Sequence, residues 1–136
     1  MYYFAYASNL NHKQMVERCT DSQHKFRCVL PNYKLIFAGW SRQWRGATAS
    51  IKPFQGEKVP GAVYEISERC LRRLDRYEDC PAVYNHLNVM VITEDGEAIR
   101  AVTYIRREQS QEAPPAREYL AVIQQGYRDW GITEIR

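Results

Sequence analysis

The strongest constraint on the fold is the segment HLNVMVITEDGEAIRAVTYIR, which occupies residues 86–106. Two runs of alternating apolar and polar residues flank a turn that contains Asp95 and Gly96. Alternation of this kind is typical of a strand with one buried face, and Asp-Gly is among the strongest signals for a tight hairpin turn. The segment therefore predicts an antiparallel β-hairpin.

The chain before this hairpin predicts further strands. Residues 2–7, YYFAYA, are rich in aromatic residues and end at Ser-Asn, which predicts a strand followed by a tight turn. Three more short strands are predicted from runs that contain β-branched or aromatic residues and are bounded by Gly or Pro. These runs are NYKLIFAGW, GATASIKPF and VPGAVYEI, at 32–40, 46–54 and 59–66.

Helical patterns occur at three places. A helix is predicted from Asn11, because Gln14 follows three positions later with the spacing of a capping box. Ser67 is a suitable N-cap for the segment SERCLRRLDRYE. A final helix over roughly residues 116–125 is predicted to stop at Gly126.

Together these elements predict the fold class. About six strands with two or three helices indicate an α+β protein whose sheet curls into a small barrel. The polar, Pro-containing segment 107–116 is expected to be a loop that is ordered against the domain. A chain of 136 residues, 45% hydrophobic, suits a single domain over residues 1–136.

The charge balance and the hydropathy of the sequence indicate no macromolecular partner. Nineteen Lys and Arg residues against 16 Asp and Glu give a net charge of +3, which is too small an excess to indicate a nucleic-acid-binding surface. No segment has the length of a membrane span, and the first residues lack the charged region and long apolar run of an export signal. We therefore expect no nucleic-acid or membrane partner and a cytoplasmic location. Oligomeric state is not predicted by any pattern.

The cysteines and histidines show no metal-binding pattern. There is no CxxC pair, and the histidines are scattered along the chain. The residues concerned are Cys19, Cys28, Cys70, Cys80, His12, His24 and His86. We expect free thiols in a reducing compartment, although four cysteines would permit two disulfides in a secreted protein.

The helix that begins after Ser67 carries an unusual carboxylate. Leu71 and Leu74 define its inward face, and the same spacing places Glu78 on that face. A carboxylate in such a position has a raised pKa, which makes it a useful proton acceptor near neutral pH. The alternative is that the helix ends earlier and Glu78 turns to solvent or pairs with an arginine. Periodicity alone favours this second interpretation, because the ends of helices are uncertain by a few residues when they are assigned from sequence.

The opposite face of this helix carries four arginines, at positions 69, 72, 73 and 76. We expect this face to be solvated, and a docking surface for an acidic partner or nucleic acid is the less favoured alternative.

A second weak signal is YASNL, residues 6–10, at the predicted junction of strand and helix. Backbone N–H groups at such a junction have no helical partner and can bind an anion or a developing oxyanion. Ser8 and Asn9 are also common cap and turn residues, so the segment by itself favours neither interpretation.

In combination these segments resemble the gamma-glutamylcyclotransferase-like family. FAYASNL is similar to the family's Tyr-Gly-Ser-Asn-Leu signature, and LDRYE, residues 74–78, is similar to its later Leu-Asp-x-x-Glu motif. The similarity continues through QWRGATASI, VPGAVYEIS, AVYNHLNVMV and EAPPAREYL, in the family's order and spacing.

The resemblance implies a small barrel-like fold that encloses a cavity, and cleavage of gamma-glutamyl amides to 5-oxoproline and a free amine without metal or cofactor. It implies that Glu78 is the general base and acid. It also implies a substrate-binding set formed by Tyr6, Ala7, Ser8, Asn9, Leu10, Tyr84 and Tyr119.

Position 7 departs from the family pattern, because Ala7 replaces the signature glycine. A methyl group obstructs the site if this position requires a positive φ or a very close ligand approach, and is tolerated if the geometry is that of an ordinary strand. Two functions therefore stay open: a cyclotransferase, or a small-ligand-binding protein on the same fold that lacks turnover. The sequence does not choose among amino acids, peptides, lysine side chains and polyamines as the released amine.

Overall fold

The fold is a closed β-barrel with helices packed around it. The computed structural model describes residues 1–108 and 111–133, and this part of the chain contains five strands and three α-helices. The strands are β1 (Tyr2–Ala5), β2 (Gln23–Ser41), β3 (Gly46–Glu65), β4 (Tyr84–Thr93) and β5 (Ala98–Arg106). The helices are α1 (His12–Arg18), α2 (Glu68–Tyr77) and α3 (Arg117–Trp130), and one turn of 3-10 helix (Ser8–Leu10) precedes α1.

The barrel closes in the order β1-β3-β2-β4-β5. All neighbouring pairs are antiparallel except β1 and β5, which run parallel and close the barrel with Tyr3 opposite Val102. The predicted hairpin is confirmed as β4 and β5, with Ile92 opposite Ala98 at its turn. The predicted α+β barrel is also confirmed, with five strands where about six were expected.

The strand count differs because β2 and β3 are long. β2 begins at Gln23, although no strand was predicted between residues 8 and 31. β3 joins the two strands predicted at 46–54 and 59–66, because residues 52–58 stay extended although they leave the barrel surface and are exposed. Gly56 and the polar residues around it resemble a loop in sequence. The pairing of β3 with β2 passes from Pro31 opposite Lys58 to Tyr33 opposite Pro53, so residues 54–57 have no paired residue in β2. The first predicted strand is also shorter and ends at Ala5.

Both predicted N-caps are confirmed. The Asn11 side chain accepts a hydrogen bond from the Gln14 N–H at 3.0 Å, and Ser67 Oγ accepts one from the Cys70 N–H at 3.1 Å. These bonds satisfy N–H groups that lack a helical partner in the first turn.

The prediction that Gly126 ends the last helix is wrong. α3 continues to Trp130 and is capped by Gly131, which has a φ of 68°. Gly126 is instead a packing residue, because a Cβ there would lie 2.6 Å from both Leu10 Cβ and Asn11 N. α3 can therefore approach the N-terminal turn closely enough to fix its position.

The segment 107–116 follows the barrel wall where it is described, and residues 109–110 lie outside the described part. The Ala113 N–H donates to the Phe37 carbonyl at 3.0 Å, and the Ala47 N–H donates to the Pro114 carbonyl at 3.2 Å. The core fills the barrel and the space under α1 and α3; its largest fully buried side chains include Tyr64, Tyr127, Phe4, Leu10, Met15 and Ile51. Across residues 1–108 and 111–133, no helix combines the length and apolarity required of a membrane span.

Candidate active site

A cavity of about 750 Å³ opens at one end of the barrel. Three segments that are distant in sequence meet around it: the N-terminal turn at 6–9, the β2–β3 connection at 40–44 and the end of α2 at 76–79. Side chains of β1, β3, β4, β5, α1 and α3 complete the wall. The cavity is therefore built by barrel closure and not by any single motif.

Glu78 lies in this cavity at the C-cap of α2. The helix ends at Tyr77, but the Glu78 N–H still donates to the Leu74 carbonyl at 2.9 Å. This bond keeps Glu78 on the inward face, and its side chain is 20% exposed. Of the two interpretations left open by the sequence, the helix does end before Glu78, yet the carboxylate faces the cavity and not bulk solvent.

Burial raises the pKa of Glu78 from 4.5 to about 7. The loss of hydration disfavours the charged form, and the carboxylates of Asp75 and Asp79 raise the pKa further. The Arg18 guanidinium acts in the opposite direction and lowers it. Glu78 can therefore both accept and return a proton near neutral pH.

Arg18 links this carboxylate to the N-terminal turn. Its Nη1 atom lies 3.8 Å from Glu78 Oε2 and donates to Asn9 Oδ1 at 3.2 Å. The side chain is only 7% exposed, and its guanidinium lies 4.5 Å from the centre of the Tyr77 ring. The sequence analysis treated an ion pair with an arginine and an inward position of Glu78 as alternatives. The structure shows both, because Glu78 lies in the cavity and contacts Arg18.

The turn at 6–10 is fixed by its own backbone and by side chains of α1. The N–H groups of Leu10 and Asn11 donate to the carbonyls of Ala7 and Ser8, each at 3.0 Å. The N–H groups of Ser8 and Asn9 precede these bonds, so they have no acceptor within the turn. The Gln14 amide donates to Ser8 Oγ at 2.8 Å and to Asn9 Oδ1 at 3.0 Å, which fixes both side chains.

Ala7 has a φ of −138°. This φ lies outside the left-handed region that favours glycine. The ψ of −124° is not that of an ordinary strand, so the structure excludes only the requirement for a positive φ. Its methyl group faces the same cavity, and a change in cavity shape at this point stays a prediction.

Tyrosines form much of the wall. Tyr84 donates to the Ala49 carbonyl at 2.7 Å, Tyr6 donates to the Tyr104 carbonyl at 2.7 Å, and Tyr119 accepts from the Ala49 N–H at 2.9 Å. Burial raises the pKa of Tyr6, Tyr84 and Tyr119, so all three stay protonated at neutral pH.

The structure brings seven of the eight predicted site residues to this cavity: Glu78, Tyr6, Ala7, Ser8, Asn9, Tyr84 and Tyr119. Leu10 is the exception. Its side chain is fully buried in the core, and its carbonyl accepts from Trp130 Nε1 at 3.0 Å. Its place in the family signature is explained by packing and not by contact with a ligand. The roles of the other seven residues stay predictions.

Sequence reasoning missed several charged residues of the cavity, among them Arg18 and Arg106. Arg18 could have been found, because it lies three positions after the buried Met15 and so shares the inward face of α1. The same spacing argument identified Glu78. Arg106 gave no such signal, because it ends an alternating strand where polar residues are ordinary.

The cysteine prediction is wrong for one pair. Cys19 and Cys70 form a disulfide between the C-terminal end of α1 and α2, with Cα atoms 5.3 Å apart, whereas Cys28 and Cys80 are free. Their sequence separation of 51 residues gave no indication of this contact.

Two groups of side chains in the described residues have the spacing of metal ligands. One is Cys19, Asp21 and Cys70, in which the disulfide occupies both sulfur atoms. The other is Asp75, Cys80 and His86, where Asp75 Oδ1 already accepts from Tyr104 and contacts His86, each at 2.6 Å. Neither group lines the cavity.

Comparisons with known proteins agree with this geometry. The model of the family described as "Gamma-glutamyl cyclotransferase, AIG2-like" matches residues 3–127. A gamma-glutamylcyclotransferase from Homo sapiens is 31% identical over 137 residues, which cover 96% of this chain and 71% of that protein. A gamma-glutamylaminecyclotransferase from Mus musculus is 33% identical over 93 residues, covering 64% of this chain and 59% of the relative.

Solved structures agree at the level of the fold. A structure titled "Gamma-glutamyl cyclotransferase" superimposes with a TM-score of 0.92 at 28% identity, covering 97% of this chain and 80% of that one. A mouse AIG2-like protein superimposes with a TM-score of 0.63 at 26% identity, covering 88% of this chain and 81% of the other. The overall fold is thus shared with both solved structures.

Proposed function

The chain belongs to the gamma-glutamyl cyclotransferase, AIG2-like family, and from this premise we propose that it cleaves gamma-glutamyl amides with Glu78 as general base and acid. The products are 5-oxoproline and a free amine. The observation that carries the proposal is the position of Glu78: a carboxyl with a pKa of about 7, in a cavity beside the turn at 6–10.

In the first step the α-amine of the substrate forms a bond to its own γ-carbonyl carbon. Glu78 accepts a proton from the attacking nitrogen, and the carbonyl π electrons move to the oxygen. The attack is intramolecular, so the main task of the site is to hold the glutamyl chain folded back on itself. The tyrosine-rich wall supports this role because its side chains are fixed by hydrogen bonds.

In the second step the oxyanion collapses and the bond to the amide nitrogen breaks. Glu78 returns its proton to that nitrogen, which departs as a neutral amine. Atoms and electrons balance without water, a redox partner, a metal or a cofactor.

The N–H groups of Ser8 and Asn9 are the proposed donors to the γ-carbonyl oxygen or to the substrate carboxylate. They have no acceptor within the turn, and Gln14 fixes the side chains of the same two residues. Fixed donors of this kind stabilise charge as it develops. Ser8 positions the substrate in this scheme and does not attack it.

The test is 5-oxoproline release from a panel of gamma-glutamyl amides. We expect Glu78→Gln to lower kcat by about 10²- to 10⁴-fold, which is the range for loss of general acid–base catalysis. Glu68→Gln is the matched control, because Glu68 is an exposed carboxylate at the other end of α2. Equal release by wild type and Glu78→Gln would refute the assignment of the base, and binding without release would favour a ligand-binding protein.

A further inference from the structure

We infer that Arg106 binds an anionic group on the departing amine, so that the protein selects gamma-glutamyl amides whose amine half carries a carboxylate. This inference rests on the proposed function, because it concerns the other half of the same substrate.

Arg106 is a cation in the cavity wall without an anionic partner. Its side chain is half-buried and lines the cavity. Its Nε atom is buried and makes no hydrogen bond with any described residue. None of the ion pairs formed within residues 1–108 and 111–133 includes it. A buried guanidinium donor without an acceptor is unfavourable, and a carboxylate ligand would satisfy it with charge-assisted hydrogen bonds.

The guanidinium is held in place by neutral groups. It lies against Gly39, where a Cβ atom would overlap it, and 5.5 Å from the centre of the Tyr84 ring. The Arg106 backbone N–H donates to Ser50 Oγ at 3.0 Å. The binding group is thus positioned without an internal carboxylate that a ligand would have to displace.

The substrate's own geometry decides which half of it faces Arg106. The α-amine must reach Glu78, and the α-carboxylate is attached to the same carbon atom as that amine. The glutamyl half therefore lies beside Glu78 and the N-terminal turn, where Arg18 is already engaged with Asn9. Arg106 lies against β2 and Tyr84 instead, so it remains for the departing half.

The net charge of the cavity lining also favours a carboxylate on the amine half of the substrate. Four arginines and two carboxylates line it: Arg18, Arg42, Arg76, Arg106, Glu78 and Asp79. A polyamine or a lysine-derived leaving group would bring a further positive charge into this excess, whereas a carboxylate would be attracted by it.

The experiment compares three substrates whose amine halves carry different charges, of which the first two differ only in a carboxylate against a carboxamide. Gamma-glutamyl-alanine carries a carboxylate there, gamma-glutamyl-alaninamide carries a neutral amide, and gamma-glutamyl-putrescine carries an ammonium. We expect wild type to give the highest kcat/KM with the first. Arg106→Met is expected to lower that value by about 10- to 100-fold and to change kcat/KM for the alaninamide little.

Arg107→Met is the matched control. Arg107 is exposed, does not line the cavity, and its guanidinium donates to the Pro81 carbonyl, so the variant removes the same charge one residue away. An equal loss on all three substrates in Arg106→Met, or a wild-type preference for the neutral or cationic amide, would overturn the inference.

A binding measurement separates this inference from the proposed function. Calorimetry measures the binding of gamma-glutamyl-alanine and gamma-glutamyl-alaninamide to the full chain. The chain carries Glu78→Gln, which prevents turnover, either alone or together with Arg106→Met. The comparison therefore measures recognition of the carboxylate in the absence of turnover. Weaker binding of the alanine compound alone in the double variant supports the role of Arg106 even if wild type releases no 5-oxoproline. Turnover by wild type without any carboxylate preference defeats the role of Arg106 and leaves the cyclotransferase proposal standing. Failure of Glu78→Gln to bind either compound refutes the role of Arg106.

Discussion

Replacing Arg18 with Met is expected to move the pH dependence of the reaction to higher pH. Arg18 Nη1 lies 3.8 Å from Glu78 Oε2, and its charge lowers the pKa of a carboxyl that burial has raised to about 7. Methionine keeps a chain of similar length and removes the charge, so the pKa of Glu78 must rise.

The expected size follows from Coulomb's law. Two charges at this separation interact with about 4 kcal/mol at an effective dielectric constant near 20. Water that enters the vacated space recovers part of this energy, so we expect the pKa to rise by about 1 to 2, since 1.36 kcal/mol corresponds to one pKa unit. At pH 7 the ionised fraction of Glu78 would fall from about one half to about one tenth or less. The rate at pH 7 would then fall about fivefold or more, with much of the loss recovered at higher pH.

The assay is kcat/KM for 5-oxoproline release from pH 5 to 10. The active form of a general base is the carboxylate, so the activity of wild type should fall as the pH drops through about 7. In Arg18→Met the midpoint should lie near 8 or above. Arg69→Met, an exposed arginine of α2 that does not line the cavity, controls for the loss of one positive charge. A midpoint in Arg18→Met that is unchanged or lower would refute the coupling between Arg18 and the base.

Two further predictions concern stability. Because folding raises the pKa of Glu78 from 4.5 to about 7, its ionisation destabilises the fold at pH above 7, and this cost disappears below about 4.5. Glu78→Gln should therefore raise the free energy of unfolding by up to about 3 kcal/mol at pH 8 and change it little at pH 4. Urea titrations at the two pH values measure this difference. A lower free energy of unfolding at pH 8 would contradict the buried position of Glu78. Gly126→Ala should lower the free energy of unfolding by about 1 to 3 kcal/mol, because its Cβ would meet Leu10 and Asn11. A thermal melt unchanged from wild type would show that α3 does not pack so closely.

Local periodicity predicted the parts of the fold that depend on near neighbours in sequence. The hairpin of β4 and β5 followed from alternation and an Asp-Gly turn, and both helix caps followed from side chains within three residues of the helix start. The spacing of Leu71 and Leu74 indicated that Glu78 lies on the inward face of the helix, but its choice over a frayed helix end depended on the resemblance of LDRYE to the family motif.

The parts that could not be predicted depend on distant contacts. Gly126 has the sequence context of a helix stop, and only the approach of Leu10 from the other end of the chain makes it a packing residue. The disulfide of Cys19 and Cys70 depends in the same way on how α1 and α2 pack. The polar middle of β3 resembles a loop because its side chains face solvent, and it continues the strand because Pro53 and Lys58 on either side of it pair with β2.

The pairing of Arg18 and Glu78 combines the two cases. Each residue lies at the end of a helix, on a face defined by the helix's own buried residues. The direction in which each side chain points therefore depends on near neighbours in sequence. Their 3.8 Å separation depends on the packing of α1 against α2, and it exceeds the range of a hydrogen bond. A closer, bidentate pair would occupy the lone pairs of the carboxylate and stabilise its charged form, which would make it a weak base. At this distance Arg18 moderates the pKa of Glu78 and leaves its oxygens free for the amine of a substrate.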